Sequence, residues 1–205
     1  MSVVIAAKYK DGVAVASDKQ ATGTTTKSDN AIKMQYFKYS NSAMGVVGYL
    51  RDCNLIRALE EIVPYKDILD RIKIDEMYVI KKIVPTIHTI LEANHRVRTD
   101  SGIENMASVM LYATDDNIYM IGPDFSVIAA DSYFSAIGCG DDKAIGYLSS
   151  IGDTSNLSKA MITRVLKEAV QKGCEKDVYI NDLVDIIYLE KNNENSLDFK
   201  KKKDL

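Results

Sequence analysis

The chain of 205 residues is long enough for one compact domain, and 46% of its residues are hydrophobic, which suffices for a buried core. Its 26 basic and 29 acidic side chains nearly cancel and are mixed along the sequence. This mixing argues against a nucleic-acid partner, because nucleic-acid-binding proteins carry a clustered basic face. We expect one domain over residues 1–205, with a solvated polar tail from about residue 191 that ends in the lysine cluster 200–203.

The first half of the chain reads as strands followed by helices. Apolar runs at 3–7 and 13–17 flank Asp11-Gly12, a strong signal for a β-hairpin. The polar segment 22–30 predicts a loop that can include extended structure. The remaining patterns predict two strands and two helices, the second helix kinked or interrupted by Pro85: strands at 32–39 and 42–47, helices at 50–62 and 75–93.

The second half repeats this order. Its strands are predicted at 107–113, 117–121, 126–130 and 133–137, its helices at 141–150 and 157–172, and a final strand at 183–189. Strands that are segregated from helices in this way are typical of a layered α+β protein. We predict a four-layer α-β-β-α sandwich, in which two antiparallel sheets pack face to face with a helix pair on each outer side.

The numbers and spacing of cysteine and histidine residues limit which metal sites and which cellular compartment are expected. The three cysteines are an odd number with no CxxC pair, which indicates reduced thiols. The two histidines lie in one predicted helix and are too few for a histidine-rich metal site, so no metal and no cofactor is expected. No apolar run reaches the ~20 residues that span a bilayer, and no secretory signal is recognisable. We therefore expect a cytoplasmic protein without a membrane partner.

Common catalytic motifs are missing from the sequence: it has no GxSxG elbow, no P-loop, no GxGxxG and no HExxH. A Ser-His-Asp triad is also hard to assemble from two histidines on one helix. A free α-amine, whose pKa is about 8, can activate a hydroxyl without histidine. Ser2 follows Met1, and removal of Met1 would leave such a residue at the start of the chain.

Residues 2–22 closely resemble the start of catalytic proteasome β subunits and of the bacterial HslV peptidase. Those families open with a Thr or Ser nucleophile, a hairpin at Lys-Asp-Gly and an Ala-x-Asp-x-x-Ala-Thr segment, which is present here as Ala16 to Thr22. The similarity continues through residues 31–34 and 44–52 and resumes at 136–140, where Gly-Cys-Gly stands for the family's Gly-Ser-Gly turn. This resemblance implies the N-terminal-nucleophile (Ntn) hydrolase fold over residues 2–189.

The resemblance also implies the catalytic roles. Ser2 corresponds to the nucleophile, with its own amine as the general base. Lys33 corresponds to the buried cation that lowers the proton affinity of that residue, and Asp18 to the carboxylate that pairs with the lysine. Gly48 corresponds to the glycine whose N–H faces the developing oxyanion, and Asp177 to an acidic residue near the amine.

Three positions depart from the family pattern, one of them Gln20, which replaces a frequent basic residue. Cys139 stands where the family has a serine that hydrogen-bonds the amine, and a thiol is a weaker donor and acceptor. Ile180 stands where it has another serine. Two alternatives therefore stay open beside an active peptidase: an inactive proteasome-like scaffold subunit, and a specific amidase or transpeptidase of the same superfamily.

Substrate and partners follow from the same resemblance. The substrate is expected to be a peptide or unfolded protein with a hydrophobic side chain before the cleaved bond, because the matched pocket is mainly apolar. A homo-oligomeric ring fed by an ATPase partner is expected as well. The candidate substrate-binding residues are Ala21, Thr22, Ala31, Gln35, Val46 and Leu50.

Overall fold

The computed structural model describes residues 2–22, 27–174 and 183–191. Two antiparallel sheets form its centre. The first has the order β12-β1-β2-β13, with β1 at Val3–Tyr9, β2 at Gly12–Asp18, β12 at Phe134–Gly138 and β13 at Val184–Glu190. The second has the order β11-β10-β9-β6-β5, with β5 at Met34–Phe37, β6 at Ser42–Val47, β9 at Val109–Ala113, β10 at Ile118–Ile121 and β11 at Val127–Ala129.

Helices cover the outer face of each sheet. Helices α5 (Asp141–Ile151) and α6 (Lys159–Cys174) pack on the first sheet. The second sheet is covered by α1 to α4 and one π-helical turn: α1 Leu50–Arg57, α2 Tyr65–Leu69, α3 Glu76–Tyr78, the π-helical turn Val79–Ile83 and α4 Val84–Ala93. The predicted four-layer α-β-β-α architecture is therefore confirmed.

Strand β1 shows why the sequence folds into layers. Its even residues Val4 and Ala6 face the second sheet, whereas Val3, Ile5 and Ala7 face α5 and α6. All five side chains are fully buried. A strand covered on both faces needs apolar residues at every position rather than in alternation, which explains the continuous apolar run after Ser2.

Several predicted element boundaries were wrong. The helix predicted over 50–62 ends at Arg57, because the Glu61 carboxylate accepts hydrogen bonds from the N–H groups of Tyr39 and Ser40 and so ties the following loop to the β5–β6 turn. The interruption expected at Pro85 is the π-helical turn that immediately precedes α4, since proline lacks the N–H that an α-helix interior uses.

Two short strand pairs and one helix were not predicted. The segment expected to be a loop contains β3 (Ala21–Thr22) paired with β4 (Lys27–Ser28). A hairpin joins β7 (Val97–Asp100) to β8 (Ile103–Met106), and the short α2 is the third element. Both hairpin strands are largely exposed and polar, so they lack the apolar alternation by which a strand is recognised. Nowhere in the described ranges is a helix long and apolar enough to cross a membrane.

Candidate active site

A buried ion pair lies where β2 ends. The Lys33 ammonium donates to both Oδ1 and Oδ2 of Asp18, at 2.7 Å each. The N–H groups of Val3 and Gln20 also donate to this carboxylate, at 2.9 and 3.0 Å. Asp18 is fully buried and Lys33 is 4% exposed. A buried carboxylate is stable only when it is paired and hydrogen-bonded in this way, so the pair holds the lysine in one position.

The environment of Lys33 favours its neutral form more than water does. Burial lowers the pKa of the Lys33 ammonium below its usual value, and the charge and hydrogen bonds of Asp18 oppose that change. The backbone is fixed as well, since the Lys33 carbonyl accepts a hydrogen bond from the N–H of Val46 on β6 at 3.0 Å. Lys33 is therefore a positioned cation whose charge depends on its partner.

Ser2 lies directly before β1 and is 7% exposed. Its carbonyl accepts a hydrogen bond from the N–H of Cys139 at 3.0 Å, and the Cys139 Sγ lies 3.6 Å from the same oxygen. Gly138 lies beside it with φ of 115°, and a Cβ there would be 2.0 Å from the Ser2 carbonyl oxygen. The end of β12 thus holds Ser2 from one side, and only a glycine permits that approach.

Gly48 follows β6 and has φ of 133°. A Cβ at this position would lie 2.5 Å from Ser108 Oγ and 2.8 Å from the Ala107 carbonyl oxygen, so a larger residue is excluded. Two residues earlier, the N–H of Val46 donates to the Lys33 carbonyl. This contact places the end of β6, and with it Gly48, close to the Lys33 backbone.

These groups surround one cleft of about 820 Å³. It brings together eight of the residues predicted from the sequence: Ser2, Lys33, Gly48, Cys139, Ala21, Thr22, Val46 and Leu50. Three other predicted residues are not part of its lining. Asp18 lies behind Lys33, the Ala31 N–H donates to the Lys19 carbonyl, and the Gln35 amide donates to the carbonyls of Tyr36 and Leu59.

Gln20, noted in the sequence as a departure from the family pattern, also lines the cleft. Sequence reasoning did not single out the remaining lining residues as site residues: Lys27, Ser28, Val47, Tyr49, Arg51 and Cys53. Burial raises the pKa of the Cys53 thiol to about 11, and its Sγ lies 3.2 Å from the Ile32 carbonyl oxygen. Only their position directly after Gly48 could have indicated that residues 49–53 line the cleft. Met1, Asp177 and Ile180 lie outside the described residues.

The arrangement can perform a specific kind of chemistry. A hydroxyl-bearing residue, a paired ammonium and a backbone glycine line one cleft, a combination that suits attack on a carbonyl group and stabilisation of the resulting oxyanion. Within ranges 2–22, 27–174 and 183–191, no three histidine, cysteine or acidic side chains are grouped so that they could hold a metal ion.

Solved structures of known proteins share the fold of this chain. Solved structures with the same fold include Thiobacillus denitrificans BPH, with a TM-score of 0.66 and 18% identity over 93% of this chain and 100% of that one. Eukaryotic HslV from Trypanosoma brucei has a TM-score of 0.62 and 18% identity, over 92% of this chain and 99% of that one. The Anbu (Gly-1) mutant from Hyphomicrobium sp. strain MC1 has a TM-score of 0.66 and 11% identity, over 100% and 95%.

At the level of sequence, the chain matches a family model rather than an individual curated protein. A search of curated proteins finds no match. The family model described as Proteasome subunit matches residues 2–189, nearly the whole chain. At identities of 11–18% the solved structures show the fold alone, so the family assignment rests on the family model. The chain belongs to the proteasome subunit family, whose members are related to proteasome-like peptidases of the Ntn-hydrolase type.

Proposed function

We propose that this protein is a proteasome-like endopeptidase in which Ser2, freed of Met1, is the nucleophile. The observation that carries the proposal is the shared cleft: Ser2, the Asp18-paired Lys33 and Gly48 lie together around a single opening. In this arrangement the nucleophile, the cation that tunes it and the donor for the oxyanion are fixed before substrate binds. Such preorganisation is usually the largest contribution to catalysis of acyl transfer.

The proposed reaction proceeds through an acyl-enzyme. The α-amine of Ser2 takes the proton from Ser2 Oγ as the oxygen attacks the peptide carbonyl carbon. The carbonyl oxygen becomes an oxyanion that accepts a hydrogen bond from the N–H of Gly48. The tetrahedral intermediate then breaks the C–N bond, and the amine passes its proton to the leaving nitrogen. A water molecule, deprotonated by the same amine, hydrolyses the ester and restores Ser2.

Two other residues tune this step. The Lys33 ammonium lowers the proton affinity of the nucleophile through its charge at short range. Asp18 keeps that ammonium in place and protonated. The resemblance assigns Asp177 a role near the amine, and that assignment stays a prediction.

The cleft supports a preference for apolar side chains in the substrate. Ala21, Val46 and Leu50 contribute aliphatic surface to its wall, and apolar contact area favours binding of hydrophobic groups. We propose peptides and unfolded proteins as substrates, with a hydrophobic residue before the cleaved bond. Ala31 and Gln35 were predicted to take part as well, and their contribution stays a prediction.

Assembly and location complete the proposal. We propose a single catalytic domain that forms a homo-oligomeric ring in the cytoplasm, fed by an ATPase partner, as expected from the family. A ring would enclose an otherwise unselective active site. Thiobacillus denitrificans BPH has been solved in complex with epoxomicin, and we propose epoxomicin as a first ligand to try on this protein.

The decisive experiment compares wild type with Ser2→Ala. Intact-mass measurement first establishes whether Met1 is removed. Incubation with an acylating peptide inhibitor is then expected to add one inhibitor mass at residue 2 of the wild type and none to Ser2→Ala. Ser28→Ala, which changes another hydroxyl on the cleft wall, serves as the matched control and should be labelled like wild type. A label on another residue, or none on a Met1-free wild type, would refute the mechanism.

The inactive scaffold is the second candidate, and Cys139 favours it. Its N–H and Sγ both contact the Ser2 carbonyl, where the family pattern places a serine that serves the amine. A scaffold subunit would retain Met1 and hydrolyse no peptide. A specific amidase or transpeptidase would instead transfer the acyl group to an added amine, which product analysis with amine acceptors detects.

A further inference from the structure

A chain of polar contacts lies next to Gly48 and connects Tyr49, on the cleft wall, to three residues that are not part of the cleft lining. The Ser108 Oγ accepts a hydrogen bond from the N–H of Tyr49 at 3.2 Å and donates to Asp52 Oδ2 at 2.7 Å. The Arg96 guanidinium donates to both oxygens of the same carboxylate. Asp52 is fully buried and Ser108 is 1% exposed. Hydrogen bonds thus connect four residues from three separate segments of the chain, in the order Arg96, Asp52, Ser108 and Tyr49.

The same arginine also holds the Tyr49 ring. Its guanidinium carbon lies 4.8 Å from the ring centroid, within the range of a cation–π contact. The exposed ring of Tyr49 is therefore restrained at its face, while its N–H is restrained by Ser108. Since the Tyr49 N–H belongs to the peptide unit that follows Gly48, the Ser108 hydrogen bond restrains that unit directly. It thereby limits the conformations open to Gly48, whose own N–H lies in the preceding unit.

Gly48 cannot hold one backbone orientation by itself, because glycine is conformationally free. With φ of 133° it occupies a backbone region that glycine enters without penalty and leaves as readily. Its Cα packs against Ser108, whose Oγ would lie 2.5 Å from a Cβ. A flexible residue that must direct an N–H at a reacting oxygen needs an external restraint, because small misplacements of such donors are costly.

We propose that Arg96, Asp52 and Ser108 are positioning residues that fix the peptide planes around Gly48 and so aim its N–H at the substrate oxyanion. This proposal rests on the proposed peptidase function and deepens it. The buried carboxylate is the centre of the device: it is held by the charge of Arg96 and in turn sets the hydroxyl direction of Ser108. None of the three residues touches the substrate; they act through Gly48 and Tyr49.

The test uses the full-length protein and the variants Ser108→Ala and Arg96→Lys. Ser108→Ala removes the acceptor for the Tyr49 N–H, and Arg96→Lys keeps a cation but loses the planar fork that matches a carboxylate. We expect kcat for peptide hydrolysis to fall about 10- to 100-fold in Ser108→Ala, with KM changed less than about twofold, because the lost restraint matters most where the oxyanion forms. Arg98→Ala, which removes an exposed cation two residues from Arg96, is the matched control and should keep wild-type kcat.

Two further readouts separate positioning from a general structural defect. A peptide aldehyde forms a tetrahedral adduct with an oxyanion, whereas the corresponding peptide alcohol does not, so Ser108→Ala should weaken the aldehyde and leave the alcohol unchanged. Hydrogen exchange of the Tyr49 amide should accelerate in Ser108→Ala whether or not the protein is catalytically active. Thermal unfolding shows whether each variant folds. If Ser108→Ala does not fold, the same measurements on Arg96→Lys test the proposal.

The outcomes are distinguishable. Folded Ser108→Ala and Arg96→Lys variants with wild-type kcat, aldehyde affinity and Tyr49 exchange would overturn the proposal while leaving Ser2 as the nucleophile. A wild-type protein without Ser2-dependent hydrolysis would overturn the proposed function, and with it the catalytic purpose of the chain, even if exchange of the Tyr49 amide responded as expected.

Discussion

At the scale of single residues, the Asp18–Lys33 pair is where the chemistry is most sensitive to charge. Burial depresses the pKa of the lysine, while the carboxylate raises it again through its charge and two hydrogen bonds. The charge state of Lys33 is thus set by the difference between two opposing effects. A change in either partner moves the pH range in which the lysine is a cation.

Asp18→Asn is expected to narrow the active pH range from the alkaline side. Loss of the carboxylate charge lowers the pKa of Lys33 further, so the ammonium needed in the proposed mechanism is lost at lower pH. The pH dependence of kcat/KM should therefore show its alkaline fall at lower pH in the variant than in wild type. Asp29→Asn changes an exposed carboxylate nearby and should leave the profile unchanged, whereas an unshifted Asp18→Asn profile would contradict the assigned role of the pair.

The same pair makes the stability of the folded protein depend on pH. The folded-state pKa of Lys33 is below its unfolded value of 10.5. Between the two values the unfolded chain binds more protons, so the free energy of unfolding rises as the pH rises through that window. Asp18→Asn lowers the folded-state pKa and extends the window toward lower pH, which urea unfolding measured across alkaline pH would show.

At the scale of elements, the approach of β12 to β1 places Ser2. Strand pairing puts Gly138 opposite Val3, and the glycine leaves the room into which the Ser2 carbonyl projects. The next residue, Cys139, then donates its N–H to that carbonyl. Backbone contacts thus hold the proposed nucleophile in place.

Gly138→Ala is predicted to impair both folding and catalysis. The added Cβ would lie 2.0 Å from the Ser2 carbonyl oxygen, at a φ of 115° that alanine rarely adopts, so β1 and β12 must separate at the site. We expect a drop of about 1–3 kcal/mol in the free energy of unfolding and a larger loss of peptidase activity, measured by urea unfolding and by initial rates.

Gly146→Ala, in a helix that packs on the same sheet, is the control for Gly138→Ala. Gly146 lies in the interior of α5, and a Cβ there meets no atom within 4 Å. The substitution should stabilise the protein by about 0.5–1 kcal/mol because alanine has the higher helix propensity. Equal behaviour of the two variants would show that the contact with Ser2 is not what makes Gly138 necessary.

At the scale of the whole molecule, the two sheets are joined through a third apolar cluster that contains no helix residue. Val4, Val15, Leu111 and Ala113 are among its fully buried members. Because the sheets carry different parts of the site, with Ser2 at the start of β1 and Gly48 at the end of β6, this interface sets their separation. Packing between the sheets therefore links stability to catalysis.

Leu111→Ala tests that link. Removing a fully buried leucine from between the sheets should lower the free energy of unfolding by about 2–5 kcal/mol, since a cavity forms where the sheets cannot close completely. Ile128→Ala, at a half-exposed position of β11, should cost less than about 1 kcal/mol. Denaturant titration measures both, and a small effect at Leu111 would mean that the sheets repack.

The sequence by itself predicted the layer order, and its resemblance to the proteasome family supplied the candidate site residues. The continuous apolar run of β1 is a strand covered on both faces, and the Asp11-Gly12 turn sets the hairpin that pairs β1 with β2. Local signals of this kind are sufficient because hairpin register and burial act over few residues.

Only the tertiary structure decided which distant residues support those site residues. The side chain of Arg96 reaches Asp52 across 44 positions, and Ser108 reaches it across 56, and neither contact has a period or a motif. The same holds for Glu61, whose carboxylate ends the predicted helix early by binding the β5–β6 turn. Such contacts depend on how elements pack after they form, so nothing within a short stretch of sequence encodes them.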